Sequence, residues 1–334
     1  MSLEVRVSES SPPGDEVRYG GYRLQPAHYE PSRVPEEVAR FDASIGTLEV
    51  GSPGKVGILQ LEFTRGEHRT ELSGHFQKSP LQIMRPLYYD ELRPDMPYTF
   101  LMSAGGGVVQ GDRLRTDLVF GPGSSAHVTT QAHTRLYRME RNYASAIVNL
   151  TIGADAYVEY LPDPIIPFER SRFYQQTKVV LDETATLVIS DTIYAGRLAS
   201  DERHVYDVFA SDFEVFRPDG SIVALDKVRL IPSEGVEGLA VLNGRDVLSM
   251  LYVFTPTVPA KELADHLHTV LTSCFGEAWG DGLLFGISVL PGDVGVWIRL
   301  IGDDTVAIAR ANTVAWGLVR EALTGHVAPS IRKT

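Results

Sequence analysis

The chain has 334 residues, of which 43% are hydrophobic and 22% are charged. These values are ordinary for a folded globular protein and argue against a disordered chain or a membrane protein. The formal net charge of −12 argues against a nucleic-acid-binding surface, because binding to phosphates requires clustered lysine and arginine. We therefore expect neither a nucleic acid nor a membrane among its partners.

Cysteine content and the start of the chain bear on the compartment. Cys274 is the single cysteine, which excludes an intramolecular disulfide and a site built from several thiolates. Residues 1–50 contain no apolar run of the length that a signal peptide needs, and no run of about 18 apolar residues follows. The sequence therefore predicts a cytoplasmic protein.

The pattern along the chain changes near Val56. Residues 1–50 are rich in turn-forming and charged residues with weak periodicity, so we predict an extended N-terminal arm. From Val56 onward, short runs rich in β-branched and aromatic residues alternate with glycine, proline and aspartate, which is typical of successive strands. We predict one domain over 51–334, with a β-helical core over 51–232 and an α+β part over 233–334.

A repeat lies within the β region. Residues 117–128, 149–158 and 180–188 share one plan of strand, tight turn, alanine and strand. The alanines (Ala126, Ala156 and Ala185) recur about every 30 residues, and a fixed period in this range is typical of stacked repeats. One coil of a β-solenoid is the natural unit, because stacking buries the apolar face of each coil. A β-sandwich with hairpins that resemble one another is the alternative.

Two helices and a hairpin are predicted near the C-terminus. Apolar residues at helical spacing follow Pro259 and end near Gly276, and a second such segment begins after Asp304 and ends at Gly325. Between them, residues 283–289 and 294–300 are apolar runs on either side of a Pro-Gly-Asp turn. The predicted fold is therefore mainly β, a β-helix-like stack of short strands with two C-terminal helices.

The glycine-rich run at residues 105–112 does not match a nucleotide-binding loop. It spells neither GxxxxGK[ST] nor GxGxxG, and the segment that follows alternates like a strand instead of opening a helix. The glycines are better explained by a turn with positive φ or by a close approach of two backbones.

The residues that could support catalysis are scattered. HExxH, Cys-x-x-Cys and GxSxG are missing, and His266 and His268 are two positions apart on a predicted helix, so they point to different faces. Acids are plentiful in the β region, and most are expected at the surface. A pair of acids from neighbouring coils could still cleave a glycosidic bond, so a cytoplasmic β-solenoid carbohydrate-active enzyme is one hypothesis.

Three sequence blocks, in order, resemble a known family. Residues 101–114 are similar to the glycine-rich signature of the UreD (UreH) urease accessory proteins, and residues 121–138 and 158–168 resemble the two blocks that follow it. Weaker similarity extends the resemblance from about Val56 to the C-terminus. Gln110 and His133 depart from the family pattern, which identifies the chain as a divergent member. The motif residues carried over are Gly105, Gly106, Gly107, Gly111, Arg138 and Pro162.

The resemblance implies a function in urease maturation and no catalysis by this chain. A member of the family is expected to bind UreF and, through it, UreG, and to deliver Ni²⁺ through an interior tunnel into the urease apoprotein. No tightly bound cofactor is expected, only transient Ni²⁺. By position in the blocks, the polar residues of the tunnel would be Asp112, Thr134 and Asp226.

Each of these residues also has a purely structural interpretation. Asp112 follows a glycine and could cap a turn, Thr134 could be an ordinary strand hydroxyl, and Asp226 could be a surface acid. Scattered carboxylate and hydroxyl oxygens nevertheless suit a passing ion, because a conduit must bind weakly enough to release it. A pure protein-bridging adaptor, with no ion passing through it, is the further alternative.

Overall fold

The computed structural model describes residues 22–43, 55–239, 241–276 and 283–331. Within them, the β-branched and aromatic runs form strands and the segments with helical spacing form helices. The strands are β1 (Val56–Arg65), β2 (Thr70–Lys78), β3 (Leu81–Ile83), β4 (Tyr98–Ser103), β5 (Arg113–Phe120), β6 (Ser125–Thr130), β7 (Thr134–Leu136), β8 (Ala144–Ile152), β9 (Tyr157–Tyr160), β10 (Ile165–Pro167), β11 (Arg172–Leu181), β12 (Thr186–Tyr194), β13 (Val208–Phe216), β14 (Ile222–Leu230), β15 (Val247–Phe254), β16 (Leu284–Val289) and β17 (Gly295–Gly302). The helices are α1 (Pro26–Tyr29), α2 (Glu36–Ala39), α3 (Ala260–Phe275) and α4 (Thr305–Thr324).

The strands form two sheets that face each other. In sheet A the order is β14-β13-β11-β8-β5-β1-β2, and in sheet B it is β16-β17-β15-β12-β9-β6-β4-β3. The inner strands of both sheets pair in parallel, because the chain alternates between the sheets once in every coil. The main hydrophobic core lies between the sheets. The predicted solenoid-like stack with C-terminal helices is confirmed, and the β-sandwich alternative with chance resemblance between hairpins is wrong.

The tight turns of the repeat stack on one another. Each joins a strand of sheet A to a strand of sheet B, and the alanine of each repeat is buried (Ala126 at 0% exposure, Ala156 and Ala185 at 2%). A Cβ at Gly153 would lie 2.9 Å from the Pro122 nitrogen in the preceding coil. The turns therefore require small residues, because the backbones of neighbouring coils touch there.

The C-terminal part continues sheet B. β15, β17 and β16 add to β12 in antiparallel register, and α3 and α4 cover the outer face of this sheet with a second apolar cluster. The Asp304 side chain caps α4 by accepting hydrogen bonds from the Val306 and Ala307 amides, and Gly325 ends the helix with φ at 71°. The two helices and the hairpin predicted from the sequence are confirmed.

Residues 22–43 lie on the outer face of sheet A. This stretch contains α1 and α2 and is the described part of the predicted arm 1–50. Residues 1–21 and 44–50 of that arm lie outside the described residues. Val38 is fully buried against Tyr174 and Val208, while Tyr29 packs on Ile58. No helix in the described part of the chain combines the length and apolar character needed to cross a membrane.

Candidate functional site

A cavity of about 350 Å³ lies between the two sheets. Its floor is a row of residues that pair from strand to strand across sheet A: Leu59, Thr116, Val148, Thr177, Phe213 and Asp226. Since neighbouring strands are about 4.8 Å apart, this row of six spans roughly 24 Å. The cavity therefore runs across the strands, through several coils of the solenoid.

The mouth of the cavity is formed by the glycine-rich run. Ser103, Gly105 and Gly106 are exposed there, opposite His133 and Arg135, and all of them line the cavity. The two walls of the mouth touch each other through the Val108 amide, which donates to the Arg135 carbonyl at 2.7 Å. The glycine run thus borders the opening of the cavity.

Close backbone approach explains the glycines at the mouth. A Cβ at Gly107 would lie 2.5 Å from the Arg135 carbonyl oxygen, and one at Gly106 would lie 2.8 Å from the Tyr137 hydroxyl. Gly111, at the end of the run, has φ at 78°, a conformation that disfavours other residues. Both interpretations offered by the sequence, positive φ and close approach, are therefore present in this segment.

Two carboxylates lie at the inner end of the cavity. Asp226 projects from β14 in sheet A and accepts a hydrogen bond from the Tyr252 hydroxyl, while Asp191 projects from β12 in sheet B. The Asp191 Oδ2 atom accepts from Gln175 Nε2 at 3.3 Å and from Ser211 Oγ at 3.4 Å. Asp226 therefore faces the cavity, and the interpretation of Asp226 as an ordinary surface acid does not describe its position.

Asp191 is the more unusual of the two acids. Burial raises its pKa and the negative charge of Asp226 adds to this, while hydrogen bonds from Ser211 and the Thr192 backbone act the other way, so that the pKa is about 6. No arginine or lysine within the described residues forms an ion pair with it. In the sequence Asp191 is one of many acids of the β region, and its place in the cavity lining, on the sheet that faces Asp226, is what distinguishes it.

The predicted site residues do not all meet. Thr134 is half-buried on β7 near the mouth and Asp226 lies at the inner end, so both line the cavity. Asp112 does not line it. Its two carboxylate oxygens accept hydrogen bonds from the Val109 and Lys55 amides, each at 2.9 Å, and burial raises its pKa. The turn-capping interpretation therefore describes the contacts of Asp112.

Two other motif residues lie in separate places. Pro162 lines the cavity beside β9, next to a second cavity of about 460 Å³ between sheet B and α4. Arg138 is exposed and pairs with Glu140 at 2.8 Å and with Glu169 of the next coil at 3.5 Å. Arg138 thus connects two coils at the surface and does not line the cavity.

A buried charged cluster under α4 was not predicted. Arg320 of α4 is 0% exposed and donates to the Tyr98 hydroxyl at 2.8 Å and to Glu159 Oε2 at 3.2 Å, and it also pairs with Asp90. His127 Nδ1 lies 2.7 Å from Glu159 Oε2. Although burial alone would raise the pKa of Glu159, the hydrogen bond from His127 and the charge of Arg320 lower it. The expectation that acids of the β region lie at the surface is therefore wrong for Glu159.

These surroundings decide what the cavity can do chemically. Its polar lining combines carboxylate, hydroxyl and amide groups with the His133 imidazole and the Arg135 guanidinium at the mouth, and the oxygens suit hard or borderline cations that are held weakly. Among the described residues no cluster of three or more His, Cys, Asp or Glu could hold a metal ion. Glu159 and Asp112 are engaged in structural contacts, so neither is available for the acid pair that glycoside cleavage requires.

Comparisons with known proteins agree with the sequence blocks. The family model of the UreD urease accessory protein matches residues 55–333. A protein named urease accessory protein UreD 2 from Streptomyces griseus subsp. griseus is 50% identical over 290 residues, covering 86% of this chain and 97% of the relative.

More distant relatives carry the same family name. Urease accessory protein UreD 2 from Brucella suis biovar 1 is 35% identical, over 88% of this chain and 96% of the relative. Urease accessory protein UreD from Cenarchaeum symbiosum is 33% identical, over 86% of this chain and 100% of the relative. With a family model covering most of its length and relatives matched nearly end to end, this chain belongs to the UreD family of urease accessory proteins.

Proposed function

We propose that this chain is a urease maturation factor that binds UreF and UreG and conducts Ni²⁺ to apo-urease, without catalysing a reaction itself. Membership of the family supports a role in urease maturation. The observation that supports conduction is the cavity, which runs across six strands from the glycine-lined mouth to Asp191 and Asp226.

The lining of the cavity favours transit over storage. Thr116, Thr177 and Gln175 offer neutral oxygens along sheet A, Asp163 adds one carboxylate to the lining, and Asp191 and Asp226 provide two carboxylates at the inner end. A cation that passes the neutral oxygens is drawn toward the inner end, because the electrostatic attraction increases as it approaches two negative charges. Incomplete ligand sets also allow the ion to leave, as conduction requires.

Blocking the mouth tests this proposal. Thr134→Trp places a large ring at the entrance, whereas Thr151→Trp places the same ring on β8 at an exposed position away from the cavity lining. Both variants are co-expressed with the urease subunits, UreF and UreG, and complex formation and urease activity are measured. We expect Thr134→Trp to form the complex but to lose at least about tenfold in urease activation, and Thr151→Trp to behave like the wild type.

The alternative outcome favours the adaptor. A chain that only bridges proteins would keep full activation when the mouth is filled, provided that the complex still forms. Unchanged activation by Thr134→Trp in an intact complex would therefore remove the conduit from the proposal.

A further inference from the structure

Arg299 lies just beyond the inner end of the cavity. On sheet B it stands in one row with Met250 and Asp191, since these residues pair across β12, β15 and β17. Its Nη2 atom is 3.8 Å from Asp226 Oδ2 and 3.9 Å from the Met250 sulfur. Its side chain is 41% exposed, so Arg299 reaches the solvent while its guanidinium lies near Asp226.

The contacts that hold Arg299 in place are weak. A distance of 3.8 Å is longer than a direct N–H···O hydrogen bond, and the Nε atom is buried without a hydrogen-bond partner. The guanidinium stacks on the Trp297 ring, 4.6 Å from its centroid. Arg229 offers a contrast, because it lies 2.5 Å from Asp212 and donates to two backbone carbonyls as well.

Among the described residues, Arg299 is the one basic side chain that forms an ion pair with either carboxylate. Asp226 is the one that Arg299 approaches, while Asp191 faces the same space from the opposite sheet and is influenced by the charge of Asp226. A divalent cation between them would neutralise both acids, which one guanidinium at 3.8 Å from one of them cannot do. Such a cation would also repel the guanidinium from Asp226.

We propose that Arg299 is a displaceable counter-cation that closes the inner end of the cavity. The inference rests on the proposed conduit function and adds a mechanism of control to it. A divalent cation that reaches Asp191 and Asp226 takes the place of the guanidinium, which swings into solvent from its position on Trp297. Its departure opens a second exit between β14 and β17, and a through-route needs two openings.

Binding of Ni²⁺ to the purified full-length chain tests this role without urease. Arg299→Met keeps the apolar stem on Trp297 and removes the charge, and Arg299→Lys keeps the charge. Arg229→Met is the matched control, because it removes an arginine from an aspartate pair away from the cavity lining. Each variant is titrated with NiCl₂ by calorimetry at pH 7.5, with a circular dichroism spectrum as the check on folding.

We expect Arg299→Met to bind Ni²⁺ at least about tenfold more tightly than the wild type, since a repelling unit charge a few ångströms away is removed. Arg299→Lys and Arg229→Met should bind like the wild type. Adding Asp226→Asn to Arg299→Met should abolish the gain, because the gain depends on the carboxylate that the arginine neutralises.

The outcomes separate this inference from the proposed function. If Arg299→Met binds Ni²⁺ no more tightly than the wild type while Asp226→Asn binds it more weakly, the acids bind the ion but Arg299 is not their counter-cation. The inference then fails and the conduit stands. An equal gain with Arg229→Met would also overturn it, because the effect would then come from the net charge of the chain. The conduit function itself is tested separately, and it fails if Thr134→Trp leaves urease activation unchanged in an intact complex.

Discussion

Asp112 is buried and Asp191 is half-buried, and the surroundings of the two carboxylates differ. Asp112 accepts two backbone N–H groups and fastens the turn after the glycine run to the start of β1. Asp191 accepts two long side-chain hydrogen bonds, from Gln175 and Ser211, and faces the cavity. The first arrangement satisfies a carboxylate within the fold, and the second leaves one available to an incoming ion.

Removing the Asp112 carboxylate should affect stability first. In Asp112→Ala the Val109 and Lys55 amides lose their acceptors, and buried donors without acceptors cost about 1–3 kcal/mol. We expect a lower free energy of unfolding in urea and an unchanged affinity of the folded chain for Ni²⁺. If Asp112→Ala has normal stability but binds Ni²⁺ more weakly, Asp112 takes part in conducting the ion and is more than a turn cap.

Asp191 should make stability depend on pH in a defined direction. Its pKa in the folded chain, about 6, lies above the ordinary value of 3.8, so the fold binds the proton more tightly than the unfolded chain does. The charged carboxylate therefore destabilises the fold above about pH 6, and this penalty fades as the pH falls toward 4.

The test is the variant Asp191→Asn. At pH 7.5 it should be more stable than the wild type by up to about 3 kcal/mol, which is the cost of a shift of about two pKa units. The difference, measured by urea denaturation, should shrink as the pH approaches 4. A constant difference across this range would show that Asp191 is already charged at low pH.

At the scale of single elements, α4 shows what the sequence could and could not predict. Both ends of the helix follow from local signals, the Asp304 cap and Gly325. The buried position of Arg320 does not, since its partner Asp90 is 230 residues away in sequence. The helical spacing of apolar residues predicts the helix that contains Arg320, but it does not show that Arg320 pairs with Asp90 and Glu159.

Arg320 should therefore hold α4 on sheet B. Arg320→Met removes the arginine that pairs with the buried acids Asp90 and Glu159, which should lower the free energy of unfolding by about 3–5 kcal/mol. Arg310→Met, at an exposed position of the same helix, is the control and should change stability by less than about 0.5 kcal/mol. Similar losses in the two variants would argue against a special role for the cluster.

At the scale of the whole molecule, the repeat predicted the stack because each coil repeats the same local pattern. The pairing of β15 with β12 is set by long-range contacts, so local patterns could not predict that the C-terminal strands would continue sheet B. The same limit applies to the cavity. Thr134 and Asp226 entered the prediction through family resemblance, and Asp191 could be recognised only once the pairing rows were known.

Continuity of sheet B makes a prediction about truncation. A chain that ends at residue 232 loses β15 and exposes the edge of β12, together with the core faces that Met250, Tyr252 and Phe254 cover. We expect this fragment to aggregate or to remain unfolded in size-exclusion chromatography and circular dichroism. A monomeric fragment with cooperative unfolding would show instead that the β-helical coils form an independent unit.

The floor of the cavity limits the lengths that such a cavity can have. Because each floor residue belongs to a different strand, inserting one more coil of about 30 residues would lengthen the passage by one strand spacing, about 4.8 Å. Intermediate lengths are not accessible without breaking the ladder of hydrogen bonds. The length of such a cavity can therefore change only by whole strands, while the floor residue that each strand contributes can be substituted without changing that length.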